Sequence, residues 1–186
     1  MDAKVALTEL KKGNTRFLKN ISRRNNQDSS RIESLTTGQS PWAIILSCAD
    51  SRVVPEIAFD TGLGELFVIR VAGNIANKST VASIEYAVAH LGTKLIVVMG
   101  HESCGAVGAA IANGGGSDNL DHLLAEIKPA IDETGSNDIN TVVKSNAKIS
   151  VANLKSRSKI ISNAVKNEGL EIVSSFYNLS NGSVDF

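Results

Sequence analysis

Two short apolar runs, each followed at once by residues able to bind a metal, constrain this chain more than any other feature. The run 42–46 leads into Cys-Ala-Asp-Ser-Arg at 48–52, and the run 95–99 leads into His-Glu-Ser-Cys-Gly at 101–105. The chain has two cysteines, and both lie in these segments. Two thiolates and one imidazole suit tetrahedral zinc and leave a fourth position open for water. The sequence therefore predicts a zinc site formed by Cys48, His101 and Cys104, with a Cys48–Cys104 disulfide as the competing interpretation.

The alternation of apolar and amphipathic segments predicts the fold class. Strands are expected at 42–47, 65–71, 94–100 and 170–177, and helices at 2–20, from Pro55, at 80–91, at 104–111, near 123–135 and near 142–169, with 21–40 irregular. Continuously apolar strands are typical of a buried, largely parallel sheet. We therefore expect one α/β domain over residues 1–186, with a mostly parallel central sheet flanked by helices and a helical arm at about 2–20. The expected apolar stripe of this arm is Leu7, Leu10, Phe17 and Leu18. Ligands of such sheets lie beyond the carboxyl ends of the strands, where Cys48 and His101 fall.

Charge and hydropathy limit the partners. Nineteen basic residues balance nineteen acidic ones, so no general electrostatic attraction for nucleic acid or an anionic membrane is expected. No segment approaches the roughly 20 apolar residues that a membrane span needs, and the N-terminus lacks a signal-peptide core. Reduced, metal-bound cysteines fit a cytoplasmic location, with an earlier-removed signal peptide as the open alternative.

The two motifs together, in this order and each at a strand end, resemble the β-class carbonic anhydrases. The resemblance extends from Gly13-Asn14-Thr15-Arg16-Phe17 to the final strand. It implies Zn²⁺ as the cofactor and carbon dioxide and bicarbonate as the substrates. Zinc lowers the pKa of a bound water from about 15.7 to roughly 7. The implied reaction is the reversible hydration of carbon dioxide to bicarbonate and a proton by a zinc-bound hydroxide.

Asp50, two residues after Cys48, has two possible roles. It either binds zinc as a fourth ligand and closes the site, or pairs with Arg52 in a bidentate arrangement and accepts a hydrogen bond from the zinc-bound oxygen. The resemblance implies that both states exist and that Asp50 and Arg52 are the catalytic pair of the open one.

Position 45 bears on the choice between these states. Family members that close their site also bind bicarbonate through a Trp, an Arg and a late Tyr. Arg70 and Tyr177 match the last two, but position 45 is Ile, which has no N–H to donate to an anion. We therefore expect an open site near neutral pH.

The resemblance also implies a substrate pocket. Gln39, Phe67 and Tyr86 match pocket-lining positions, and Gly105 matches a backbone N–H donor near the zinc. In plant-like members this pocket lies at a dimer interface and draws on both subunits, so we expect a homodimer or a multiple of it. Without the resemblance, Phe67 and Tyr86 are interpreted as core aromatics. Val71 departs from the commonest family pattern, in which Asn follows the strand Arg.

Two functions of other kinds compete with carbon dioxide hydration. One is a scaffold whose zinc is structural, which would not require Asp50 and Arg52. The other is hydrolysis of a carbon dioxide analogue such as carbon disulfide on the same fold. His90 and His122 have no cysteine partners and are interpreted as surface histidines.

Overall fold

A five-stranded β-sheet forms the centre of the structure, a computed structural model that describes residues 1–186. Its strands lie in the order β2-β1-β3-β4-β5, where β1 is Ala43–Ser47, β2 is Leu66–Arg70, β3 is Leu95–His101, β4 is Glu171–Tyr177 and β5 is Val184–Asp185. The first four strands are parallel, and β5 pairs antiparallel with β4. The predicted α/β fold with a mostly parallel sheet is confirmed, although β5 was not predicted.

Nine helices surround this sheet: α1 (Ala3–Leu18), α2 (Ser29–Ser34), α3 (Pro55–Ala58), α4 (Lys78–Leu91), α5 (Gly105–Ile111), α6 (Asp118–Ala125), α7 (Lys128–Thr134), α8 (Ile139–Arg157) and α9 (Lys159–Asn167). A 3-10 turn at Ala72–Asn74 follows β2. None of the helices combines the length and the apolar character that crossing a bilayer requires.

The central strands β1 and β3 are largely apolar because helices cover both faces of the sheet. In β1, Ile44 and Leu46 pack with residues of α4, α8 and α9, whereas Ala43 and Ile45 pack with residues of α1 and α3. Successive side chains of a strand point to opposite faces, so every position of β1 and β3 is buried. This double burial is the physical reason for the uninterrupted apolar runs in the sequence.

Two long helices predicted from apolar spacing are each two helices, so their predicted extent is wrong. The segment near 123–135 forms α6 and α7, and the segment near 142–169 forms α8 and α9. Ser158 separates the latter pair with an extended backbone, and its hydroxyl accepts the Ile161 N–H at 3.1 Å. This contact caps α9. Spacing alone does not reveal the break, because Leu154 of α8 and Ile161 of α9, on either side of it, are buried in the same cluster.

The N-terminal helix is confirmed, but its buried stripe differs from the expected one. Asp2 caps α1 by accepting the Val5 N–H at 2.9 Å. The buried residues are mostly small: Ala3, Ala6, Leu10, Gly13 and Asn14. Phe17 and Leu18, which were assigned to the stripe, are not buried. Small side chains let α1 approach α3 closely. The segment 21–40, predicted to be irregular, contains α2.

Candidate metal centre

Three side chains meet at the carboxyl ends of β1 and β3. Cys48 directly follows β1, His101 is the last residue of β3, and Cys104 is the N-cap of α5. Their ligand atoms lie within 4.8 Å of one another, and all three residues are buried. The neighbouring strands β1 and β3 end side by side, so the topology itself brings the predicted ligands together.

The two sulfur atoms have the separation expected for ligands of one metal ion. Cys48 Sγ and Cys104 Sγ are 4.0 Å apart, and both residues are free thiols. Two thiolates each about 2.3 Å from a tetrahedral zinc ion lie about 3.8 Å apart. A disulfide needs about 2.05 Å, so the geometry favours the metal interpretation over the disulfide.

His101 presents an unpaired nitrogen to the site. Its Nδ1 lies 2.9 Å from the Glu102 carbonyl oxygen, and since a carbonyl only accepts, Nδ1 carries the proton. Nε2 is therefore left with a free lone pair, and it is buried without a hydrogen-bond partner. A metal ion satisfies such an acceptor, and the Nδ1 contact fixes ring orientation as in other histidine–metal sites.

The thiol pair also fits a cation electrostatically. The hydrogen bond from the Cys104 thiol lowers the pKa of Cys48, against the opposing effect of burial. The same bond and burial raise the pKa of Cys104. Without a cation, the site therefore stabilises one thiolate but destabilises a second, because two negative charges would be buried together. A divalent cation removes that opposition, so the residues fit Zn²⁺.

Asp50 is held beside these ligands by Arg52. Arg52 Nε donates to Oδ1 at 2.9 Å, Nη2 donates to Oδ2 at 2.7 Å, and the Arg52 backbone N–H donates to Oδ1 at 3.0 Å. Oδ2 lies 3.9 Å from His101 Nε2. The Arg52 side chain holds the pKa of Asp50 well below its usual range, so Asp50 is a carboxylate at neutral pH. This pairing is the arrangement expected of an open site.

Arg70 at the end of β2 and Gly73 just after it hold the 48–52 segment in place. Arg70 Nε donates to the Cys48 carbonyl at 3.0 Å, and Arg70 Nη2 donates to the Asp50 carbonyl. The Gly73 N–H donates to Cys48 Sγ at 3.4 Å. Sequence reasoning missed Gly73, although a glycine just after a strand was an available signal. Its φ of 71° lies in the left-handed region that favours glycine.

Of the predicted pocket residues, Gly105 is adjacent to the ligands in sequence and space. It is the first residue of α5, directly after the Cys104 N-cap. Gly105 is exposed, and a Cβ at this position would meet open space. A small molecule therefore has room to approach its backbone.

The other three predicted pocket residues lie away from the predicted metal ligands of the same chain. Phe67 is in register with Ile44, four residues before Cys48, which corresponds to about 13 Å along the strand. Tyr86 contacts Phe67 with ring centroids 6.4 Å apart, and exposed Gln39 precedes the amino end of β1. Tyr86 is 49% exposed, so its interpretation as a core aromatic is wrong.

The two remaining histidines are on the surface, as predicted. His90 is exposed and lies against Tyr86, with ring centroids 5.1 Å apart. His122 is exposed on α6. The group of Cys48, His101 and Cys104 is the one cluster of metal-ligating side chains in the structure.

Comparison with known proteins gives consistent matches. A family model described as carbonic anhydrase matches residues 43–184. The chain is 38% identical over 180 residues to carbonic anhydrase 2 of Mycobacterium tuberculosis, with 93% of this chain and 87% of that protein covered. The structure resembles the β-carbonic anhydrase CafA of Aspergillus fumigatus, with a TM-score of 0.78, 25% identity, and 98% and 88% of the two chains covered. It also resembles tetrameric β-carbonic anhydrases of Sordaria macrospora, with a TM-score of 0.77, 26% identity, and 98% and 94% covered.

Replacing a ligand should remove the metal and destabilise the fold. We expect about one zinc per chain in the wild type and a small fraction of that in Cys104→Ala and His101→Ala. Thermal unfolding temperatures should fall as well, because metal binding is coupled to folding. Elemental analysis after dialysis measures the first effect and calorimetry the second. His122→Ala, an exposed histidine variant, should retain both wild-type values, and full zinc occupancy in Cys104→Ala would refute the ligand assignment.

Proposed function

This chain belongs to the β-class carbonic anhydrase family, and we propose that Asp50 and Arg52 are the residues that direct its reaction. The protein is a zinc-dependent enzyme that reversibly hydrates carbon dioxide to bicarbonate and a proton. The observation that carries the proposal is a carboxylate oxygen, Asp50 Oδ2, 3.9 Å from the unpaired Nε2 of buried His101.

The proposed ligands of zinc are Cys48, His101 and Cys104. A zinc ion held by these residues would lower the pKa of a bound water, which would supply a nucleophile for carbon dioxide near neutral pH. The residues of the chain fix the environment of that nucleophile. Cys48 and Cys104 lie in an apolar cluster with Ile75 and Val107, and electrostatic interactions are stronger in such surroundings than in water.

Asp50 orients the attacking water. Its carboxylate has spare lone pairs after the three Arg52 contacts, so it accepts an O–H hydrogen bond and turns an oxygen lone pair toward the substrate carbon. Arg52 fixes both carboxylate oxygens and keeps the group ionised. Asp50 therefore acts as an orienting acceptor and does not store a proton. A scaffold with structural zinc has no use for this pair, which favours the enzyme.

We further propose that the pocket is completed by a second copy of the chain. Phe67 and Tyr86 lie far from the zinc ligands of their own chain, yet Tyr86 is exposed and Phe67, which it contacts, is only half-buried on the edge strand β2. The edge strand β2 is apolar but only half-buried at Leu66–Ile69. A second subunit would cover this strand and receive Gln39, Phe67 and Tyr86 at its own site, whereas Gly105 would act in its own subunit. The Sordaria relatives are described as tetrameric, which supports a homodimer or a multiple of it.

We infer a cytoplasmic location and a single functional unit over residues 1–186. Two buried free thiols that serve as ligands must stay reduced, and a reducing compartment provides that condition. The helix at the N-terminus packs on the sheet of its own chain, so the helical arm belongs to the same unit.

Asp50→Asn should lower the rate of carbon dioxide hydration by about 100-fold while zinc content stays at the wild-type level. The amide keeps the size of the carboxylate but loses its charge and one acceptor oxygen. Stopped-flow hydration and elemental analysis on the same preparation give the two values. Asp132→Asn, an exposed surface variant, is the matched control. An Asp50→Asn enzyme with wild-type rate and full zinc would contradict the role of Asp50.

The hydration rate of the wild type should rise with pH between about pH 6 and pH 9, because the nucleophile is the deprotonated form of water. Asp50 is not the source of this rise. Its pKa is lowered by Arg52, so the carboxylate is ionised throughout this range and loses its charge only in acid. Stopped-flow rates across the range provide the test, and a rate that falls steadily as pH rises is incompatible with the proposed chemistry.

Mixed dimers should recover activity if the pocket is shared. A dimer of one Asp50→Asn chain and one Tyr86→Ala chain has one intact site, made of the second chain's ligands and the first chain's Tyr86. Random mixing should restore about a quarter of wild-type sites. Recovery is measured by stopped flow after co-expression, and assembly by sedimentation. No recovery above the separate variants, or an active wild-type monomer at micromolar concentration, would refute the shared pocket.

A further inference from the structure

Helix α8 carries an asparagine in its fully buried face. Asn146 is 1% exposed and lies among buried neighbours on the helix, namely Val142, Val143, Ala147 and Ser150. Burying an amide is unfavourable unless it is hydrogen-bonded. The Asn146 Nδ2 donates to the Gly73 carbonyl oxygen at 2.7 Å, a contact between residues 73 positions apart in sequence.

Gly73 connects this asparagine to a zinc ligand. Its carbonyl accepts from Asn146, and its own N–H donates to Cys48 Sγ at 3.4 Å. With φ 71° and ψ 13°, the backbone conformation sets the directions of both groups together. A Cβ at this position would lie 2.7 Å from Ile127 Cδ1, and the positive φ is itself unfavourable for a residue with a side chain, so the position favours glycine. Asn146 therefore fixes the direction of the N–H that contacts the Cys48 sulfur.

A second asparagine of α8 contacts the other half of the site. Asn140 Oδ1 accepts the Ser103 backbone N–H at 2.9 Å. Ser103 lies between His101 and Cys104 and has a φ of 54°, a left-handed conformation that is unfavourable for a residue with a side chain. Such conformations persist when neighbouring contacts hold them. Asn140 thus holds the turn that separates these two ligands.

We propose that Asn146 and Asn140 are positioning residues for the zinc site, with α8 aligning the Cys48 side and the His101–Cys104 side as one rigid element. The proposal rests on the ligand assignment made above. Neither asparagine touches a ligand side chain or the substrate, so both act through backbone groups of Gly73 and Ser103. Contacts of this kind around a metal site typically change metal affinity by 10–100-fold when removed.

The test measures zinc release from the zinc-loaded protein into an excess of a chromogenic chelator. Zinc release should be about 10–100-fold faster than in the wild type for Asn146→Ala and for Asn146→Leu, which keeps most of the side-chain volume. For Asn140→Ala, release should be at least several-fold faster. Ser150→Ala, buried on the same helix, and Asn153→Ala, at the third asparagine of α8, should stay within about twofold. In cobalt-substituted protein, the thiolate-to-cobalt absorption should shift in the Asn146 variants and not in the controls.

The outcomes separate this proposal from the ligand assignment. Absence of zinc from the wild type would refute the ligand assignment. The role of the two asparagines is tested instead by the ratio between variant and wild-type release rates. Wild-type release by both Asn146 variants overturns it, as does equal acceleration in the Ser150→Ala and Asn153→Ala controls, which would indicate general loosening of α8. If the Asn146 variants do not fold, Asn140→Ala decides, because Asn140 is only partly buried, and wild-type release from it overturns the proposal.

Discussion

The rest of this structure depends on the burial of three ligand atoms that only a cation satisfies together. Cys48 Sγ, Cys104 Sγ and His101 Nε2 lie within 4.8 Å of one another at the ends of β1 and β3. An unpaired buried acceptor and two neighbouring thiols destabilise a fold when left alone. A bound zinc ion reverses the sign of each contribution. A zinc ion bound there would therefore link the two fully buried strands, β1 and β3, at their carboxyl ends.

The sequence predicted the parts of the fold that follow from periodicity, and the part of the site that follows from topology. Strands β1 and β3 are recognisable because both of their faces are covered, and parallel neighbours bring Cys48 and His101 to one edge. The break at Ser158 was not predictable from spacing, since Leu154 before it and Ile161 after it lie in the same cluster. Asn146 was missed for a related reason: nothing local in the sequence indicates that its partner is the carbonyl of Gly73.

Within one chain, the predicted pocket aromatics lie apart from the predicted metal ligands. Resemblance assigned Phe67 and Tyr86 to the substrate pocket, but register places Phe67 beside Ile44, well before Cys48. Both observations are compatible if the metal ligands come from one copy and the aromatics from another. The edge strand β2 has the apolar, half-buried character that such a contact needs. A core position can be inferred from one chain, whereas an aromatic side chain that contacts a partner subunit is simply exposed in a single chain.

The contacts of Arg70 favour the open state, in addition to the absence of a Trp at position 45. Its guanidinium donates to the carbonyls of Cys48 and Asp50, so it supports the backbone conformation in which Arg52 pairs with Asp50. An anion bound to Arg70 would compete with these two carbonyls for the N–H groups of its guanidinium. The other family anion ligand, Tyr177, is buried in an apolar cluster with Ile45, and burial raises its pKa. Arg70 is therefore already engaged and Tyr177 is buried, and releasing Arg70 to an anion would loosen the segment in which Asp50 is held by Arg52.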